Sequence, residues 1–521
     1  MMNKIYLFIL ICVSVGHQMV KAQAGSLDST FGSNGIVTHS MGSNDDDIHA
    51  IALQSDGKIV AAGYSYNGPI MICAMSRYLP DGTLDASFSN DGMLTETIGE
   101  SHCAYHGVAL QTDGKIVAAG FSKFNDQKDF ALARYNEDGT PDTSFGLAGK
   151  ISTDFYGKND DVWAVLIQPD GKIVVAGVAG NPELPSDFAL ARYNTDGNLD
   201  NTFNDDGKLS FNFDRGSAFG TSLALQTDGK LVISGYTASG NVNDFAMARI
   251  NSNGTLDATF GNDGKIITII TPYDDKSYSV AIQSDEKIVV AGFATTANPY
   301  YKFAVVRYQP DGTLDGTFGE DGIVITVFGD YLDYPRTLVI QQDGKIIVAG
   351  LSGTAMQSDF ALARYNTNGT LDNNFGINGK VITPVSAGYE TIYSMKLQPD
   401  GKLVAGGFAQ SGSEYKFALA RYFADLSVNV NDVPKTENTV SIYPNPLEQQ
   451  NTLSYFLQND GPVSITLIDL NGNIVKRFLT NEFQQAGQQD VSLELDQELS
   501  QGCYFLCLTT DSGQISLKII R

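Results

Sequence analysis

Seven lysines, Lys58, Lys115, Lys172, Lys230, Lys287, Lys345 and Lys402, recur at intervals of 57 or 58 residues, each in a copy of the segment that reads ALQTDGKIVAAG at 109–120. So constant a period means that the chain is built from like units, each of which buries its faces only by stacking on neighbours. In the second copy the parts are the loop Leu84-Asp85-Ala86-Ser87-Phe88 with a strand from Met93, a strand ending at Leu110-Gln111, a strand from Lys115 to Gly120, and a strand Phe130–Tyr135. Val, Ile, Phe and Tyr fill the strands, while Gly, Asn and Asp occupy the junctions. Four short antiparallel strands per repeat predict an all-β fold, a seven-bladed β-propeller over residues 25–422. An open solenoid fits less well, because solenoid coils are usually much shorter than 57 residues.

A ring of blades has a seam, and open sheet edges at a seam are costly. The first strand, near Ile36 to His39, is therefore expected as the outer strand beside the three that end at Arg421-Tyr422. Within each hairpin, apolar residues alternate (Ile51 and Leu53, Val108 and Leu110, Val165 and Ile167), as on a strand face packed against the next blade. The Asp-Gly pair of each hairpin is expected to supply the positive backbone dihedrals of a tight turn, and Glu286, which replaces the fifth glycine, to strain that turn or change its type.

The runs LDxxFGxxG, ALQxDGKIVVAG and DFALARYNxDG resemble the delta-60 repeat proteins of Bacteroidota, over about 400 residues. The resemblance implies propeller modules without an assigned activity. Glu286, Pro141, Ile250 and Cys73 depart from the pattern, at the turn glycine, loop leucine, strand tyrosine and strand phenylalanine respectively.

Residues shared by all seven units point in seven directions, whereas a site needs different groups converging on one point. The hairpin glutamines and lysines, and Arg77, Arg134, Arg192, Arg249, Arg307, Arg364 and Arg421, are thus read as architecture, the arginines bonding carbonyls or the loop aspartate of an adjacent unit. Function is expected on the loops that vary, on the face opposite the Asp-Gly turns. One column also varies. Nine residues before each hairpin lysine stand His49, His106, Trp163, Thr221, Tyr278, Arg336 and Tyr393, in the inward-facing parity of the apolar positions. If the hairpin strand is the innermost of its blade, His49, His106, Trp163, Tyr278, Arg336 and Tyr393 ring the mouth of the central channel and suit a sugar or small polar ligand. The alternative is that they only cap the core between blades.

No metal or cofactor is expected. The two histidines lack an acidic or cysteine partner at fixed spacing, and Asp45-Asp46-Asp47, Asp160-Asp161 and Asp274-Asp275 lack calcium-loop spacing and read as solvated loop tips. There is no Gly-x-Ser-x-Gly elbow, no His-Glu-x-x-His pair and no phosphate loop. A binding or interaction module for a glycan or protein ligand is the leading reading; a carbohydrate-active enzyme on the variable face is the competing one.

The formal charge is −25, near −27 without the first 24 residues, which repels phosphate backbones and argues against nucleic acid. Those 24 residues read as a secretory signal: Lys4, an apolar run Ile5–Val15, and the small-x-small site Ala22-Gln23-Ala24. That run is too short to span a bilayer and no later one approaches the length needed. Beyond it lie Cys73, Cys103, Cys503 and Cys507, too scattered for a disulfide framework, with Cys73 and Cys103 a candidate pair. A monomer is expected.

After Tyr422 the period stops. Residues 423–438 read as a linker and 439–521 as a small β-sandwich with a hairpin signal at Asn471-Gly472. Tyr443-Pro444-Asn445-Pro446, the Asp469–Gly472 turn, Gly502, Tyr504, Leu506 and Lys518 resemble the type A C-terminal sorting domain of the type IX secretion system. That resemblance implies recognition by the outer-membrane machinery and a product secreted or anchored at the cell surface.

Overall fold

The computed structural model describes residues 23–521 apart from 43, 182–185, 241, 298–299, 330–331, 355, 426–440, 444–449, 458, 470–473, 495–502, 511–512 and 521. The signal segment and the linker thus lie outside the described residues, except for Gln23, Ala24 and residues 423–425. The described elements are all strands, and no helix is long and apolar enough to cross a membrane.

Residues 23–426 form one compact unit of seven four-stranded antiparallel sheets. Blade 1 runs from the innermost strand Asp46–Leu53 through Ile59–Asn67 and Ile70–Tyr78 to the outer strand Met93–Glu96. Blades 2 to 6 repeat this order from innermost strands Cys103–Leu110, Asp161–Ile167, Ala218–Leu225, Asp275–Ile282 and Leu332–Ile340. Each innermost strand packs on the next, and that of blade 7, Glu390–Leu397, packs back on blade 1, so the ring closes. The seam is made as the edge argument requires: Ile36–His39 pairs antiparallel with Glu414–Phe423, from Ile36 opposite Ala420 to His39 opposite Phe417.

Between each pair of blades lies one apolar layer. Ala50, Ala52, Val60 and Met75 of blade 1, for example, meet Val108, Ile116 and Ala118 of blade 2. Cys73 and Cys103 form a disulfide across this layer, with Cα atoms 5.3 Å apart, a span typical of such bridges.

The shared polar residues form a clasp repeated in every blade. In blade 3, Arg192 Nε donates to Asp200 Oδ2 at 2.7 Å, its Nη1 donates to the Ser252 carbonyl of the next blade at 2.6 Å, and its guanidinium lies 4.7 Å from the centre of the Phe203 ring. Lys172 of the hairpin reaches the same aspartate at 2.9 Å. At the seam, Arg421 and Lys402 meet Asp28, which stands 393 residues from Arg421 in the chain.

Two expectations about loops are corrected. In the Asp-Gly turns only the glycine has positive φ, for example +86° at Gly57. Gly57 N–H donates to the Gln54 carbonyl, and Gln54 N–H to Lys58, so the turn is a three-residue loop closed by a left-handed residue. Glu286 keeps that geometry at φ +64°. Its carboxylate accepts from Thr227 Oγ1 at 2.6 Å and Gln226 Nε2 at 3.2 Å in the preceding blade. Second, the paired acids are not solvated tips: Asp46, Asp160 and Asp275 are fully buried, and Asp47 and Asp161 nearly so. Each of the first three receives the backbone N–H five residues before it, those of Met41, Phe155 and Ile270, because a buried carboxylate needs such donors.

The residues from 427 onward belong to a second unit. A three-stranded sheet (Ser441–Tyr443, Gln450–Leu457, Gly487–Glu494) and a four-stranded sheet (Ile474–Gln484, Gly461–Ile468, Cys503–Thr510, Gly513–Ile520) enclose Leu453, Tyr455, Val463, Ile465, Leu493 and Leu506. The sandwich is as expected, and the strands flanking Asn471-Gly472 pair as a hairpin, although that turn itself is outside the described residues.

Candidate functional site

The seven residues of the varying column line one cavity of about 240 Å³ on the propeller axis. What brings them there is not the strand parity. In every blade the innermost strand carries a bulge at this position: Ile48 pairs with Gly63 and Ala50 with Ala62, leaving His49 as the extra residue, and the same skip falls at His106, Trp163, Thr221, Tyr278, Arg336 and Tyr393. Alternation alone would have kept these side chains between the blades. The bulge turns them off both packed faces toward the axis.

The partner strand supplies the room. Each bulge lies against a glycine, Gly63, Gly120, Gly177, Gly235, Gly292, Gly350 or Gly407, where a Cβ would come within 1.8–2.0 Å of a carbonyl oxygen of the bulged strand. None of these glycines has positive φ, so the close approach of that carbonyl is the reason for the residue. This glycine, five residues after the hairpin lysine in all seven copies, is the sequence signal from which the bulge was legible.

Six of the seven groups form an arc of ring contacts. Tyr393 stacks on His49 (centroids 4.5 Å apart), His49 on His106 (4.7 Å) and His106 on Trp163 (4.3 Å). On the other side of Tyr393, the Arg336 guanidinium lies 4.9 Å from that ring, 4.8 Å from Tyr278 and 4.4 Å from Tyr334. The arc breaks at blade 4, where Thr221 Oγ1 donates to the Ser277 carbonyl at 3.0 Å. At that break Trp163 is left 37% exposed, an aromatic face open to the cavity mouth.

Behind the arc stand groups that the sequence reading did not single out for this site. Asp47 lies 3.4 Å from His49 Nε2, and Asp161 lies 3.1 Å from His106 Nδ1. Burial holds His49 well below the ordinary imidazole range, helped by the charges of His106 and Arg336, and it pushes the Asp47 carboxyl well up. That pair is therefore a neutral contact. Asp161 differs: burial raises it, but His106 and Lys128, the latter at 3.0 Å, more than offset that and hold it low. The two imidazoles stack face to face, so their nitrogens serve these carboxylates and the Val162 carbonyl instead of converging on one point. Asp129, Asp154 and Asp160 bring carboxylate oxygens within 4.8 Å of one another elsewhere, yet Asp160 already accepts from Phe155 and Gly180.

Of the sorting-signal residues, Tyr443 lies on the strand Ser441–Tyr443, Tyr504 is buried on Cys503–Thr510, and Lys518 lies on Gly513–Ile520. Pro444, Asn445, Pro446 and Gly502 are outside the described residues.

The family described as "Domain of unknown function (DUF5122) beta-propeller" matches seven times, at 54–88, 111–145, 168–203, 226–260, 283–318, 341–375 and 398–431. The family "Secretion system C-terminal sorting domain" matches 441–521. No curated protein matches the chain. Among solved structures, similarity extends to PorZ, a surface component of the type IX secretion system of Porphyromonas gingivalis (11% identity, 92% of this chain and 59% of that one, TM-score 0.40). It extends also to the polysaccharide lyase Uly1 (11%, 78% and 98%, TM-score 0.45) and to Drosophila Plexin A in complex with Semaphorin 1b (9%, 77% and 88%, TM-score 0.38). Seven repeats, a closed ring and a sorting sandwich make the chain a member of the DUF5122 β-propeller family that carries a type IX C-terminal sorting domain and is exported to the cell surface or beyond.

Proposed function

We propose that this exported propeller is a binding module whose ligand, a glycan or a small polar group of a larger partner, is received at the channel mouth. The observation that carries the reading is the bulged column: seven blades present seven side chains around one cavity, and where the hairpin glutamine and lysine repeat in every blade, these are drawn from five residue types, His, Trp, Thr, Tyr and Arg. A scaffold that needed only to plug its axis would be served by a repeated apolar residue. Here the arc of rings ends at a half-exposed tryptophan beside a gap, the kind of platform on which a sugar ring stacks.

A glycan array probed with the secreted chain, run beside a screen for cleavage of the same glycans, tests this. Binding without turnover is expected, weakened at least tenfold by W163A. Cleavage of a bound glycan would favour the enzyme reading, and binding indifferent to W163A would move the site elsewhere.

A further inference from the structure

In a chain of net charge −25, cations generally have partners, and the seven strand arginines and seven hairpin lysines are each paired with aspartate. Two cations on the channel are different. Arg336 has no hydrogen bond or ion pair among the described residues; its Nε is shielded from solvent and unsatisfied, and it is held only by tyrosine faces. Asp47 faces it, but not within ion-pair distance, and burial pushes that carboxyl toward its neutral form. Lys396, three residues further along the innermost strand of the adjoining blade, lines the same cavity. The corresponding positions of the other blades hold Ala52, Ala109, Leu166, Ala224, Ala281 and Val339, so this lysine is an exception in an otherwise apolar column.

An unpaired guanidinium in a confined site is costly to the unliganded fold, and a planar fork of donors matches a carboxylate. We infer that the channel mouth takes an acidic sugar, its carboxylate on Arg336 with Lys396 behind it, and its ring against Trp163. This rests on the binding reading above and names its ligand class. The cavity, about 240 Å³, is smaller than the roughly 300–1,000 Å³ typical of sites for drug-sized ligands, so it accepts one monosaccharide unit.

Trp163 is the single tryptophan of the chain, so its fluorescence reports on the mouth alone. The full secreted chain is titrated with D-glucuronate, D-glucose and acetate up to roughly 50 mM, beyond the millimolar range of a weak contact. D-glucuronate should give a saturable change at least tenfold tighter than either control. R336M should remove that advantage, R336K restore part of it, and K396M weaken it several-fold. Thermal melting provides a second readout: unliganded R336M should melt no lower than the parent, and D-glucuronate should raise the melting point of the parent but not of R336M. Equal binding of D-glucose, unaffected by R336M, would overturn the acidic assignment while leaving the site as a binding site. Equal binding of acetate would overturn the sugar assignment. Silence of Trp163 toward D-glucuronate, when array glycans do perturb it, would overturn this inference alone; silence toward all of them would overturn both readings.

Discussion

At the scale of single residues, the seven bulge glycines separate conformational from steric reasons for glycine. Gly177 is not in the left-handed region, yet a Cβ there would lie 2.0 Å from the Asp161 carbonyl oxygen and 2.9 Å from the Val162 Cα. Both are backbone atoms and cannot swing aside. G177A should therefore destabilise the propeller by about 3 kcal/mol, because the bulge must shift or flatten. G316A is the control, since a Cβ at Gly316 meets nothing within 4 Å and its φ is ordinary. Thermal unfolding of the two variants checks this; similar melting points would mean that the bulge is not built around the glycine. The column that the bulge displays was legible in the sequence as a set of unlike residues at one position. That they leave the strand parity was legible only through the glycine opposite, one strand away.

At the scale of elements, the loop leading into the innermost strand is fastened by a buried acid in five blades, at Asp46, Asp160, Asp275, Asp333 and Glu390, where blades 2 and 4 have Cys103 and Ala218, and the titration of such an acid is a consequence of its burial. Asp275 accepts from the N–H groups of Ile270 (3.0 Å), Thr271 (2.7 Å) and Thr295 (3.3 Å) and from the Thr271 hydroxyl (2.9 Å). Burial nonetheless outweighs these donors and raises its carboxyl to about 6. In the unfolded chain it titrates near ~4, so between these values the folded state holds more protons than the unfolded one. Stability must then fall as pH rises from about 4 to about 6. Comparing melting points of the parent and D275N across this window should show the parent losing ground to the variant with rising pH. A difference that is flat, or of opposite slope, would mean that the carboxylate is ionised throughout. The acid pairs were visible in the sequence, but their burial was not, because it depends on how the next loop folds over them.

At the scale of the whole molecule, the ring is closed by a segment far from the rest of its blade in sequence. Asp28 clasps Arg421 and Lys402 at the seam just as Asp200 clasps Arg192 and Lys172 within the chain, at similar distances of 2.7–3.1 Å. Losing one partner of such a buried pair costs about 3–5 kcal/mol at either place. The consequences differ, however, since the strands around Asp200 are tethered to their own blade by loops on both sides, while the closing strand Ile36–His39 is joined by a short loop only to blade 1 and keeps its place in blade 7 by contacts. D28N should therefore make the first residues of the propeller susceptible to limited proteolysis, whereas D200N should lower the melting point without that susceptibility. Equal protection in both would show that the ladder alone holds the seam. The sequence by itself determined the period, the strands, the number of blades and the sorting sandwich, because these depend on local patterns that the chain states repeatedly. Only the tertiary structure decided that one varying column leaves its strand face for the axis, that its rings stack into an arc, and that Arg336 and Lys396 form no ion pair there among the described residues. Those are properties of convergence, fixed by the distances between seven different blades, and no single stretch of the chain encodes them.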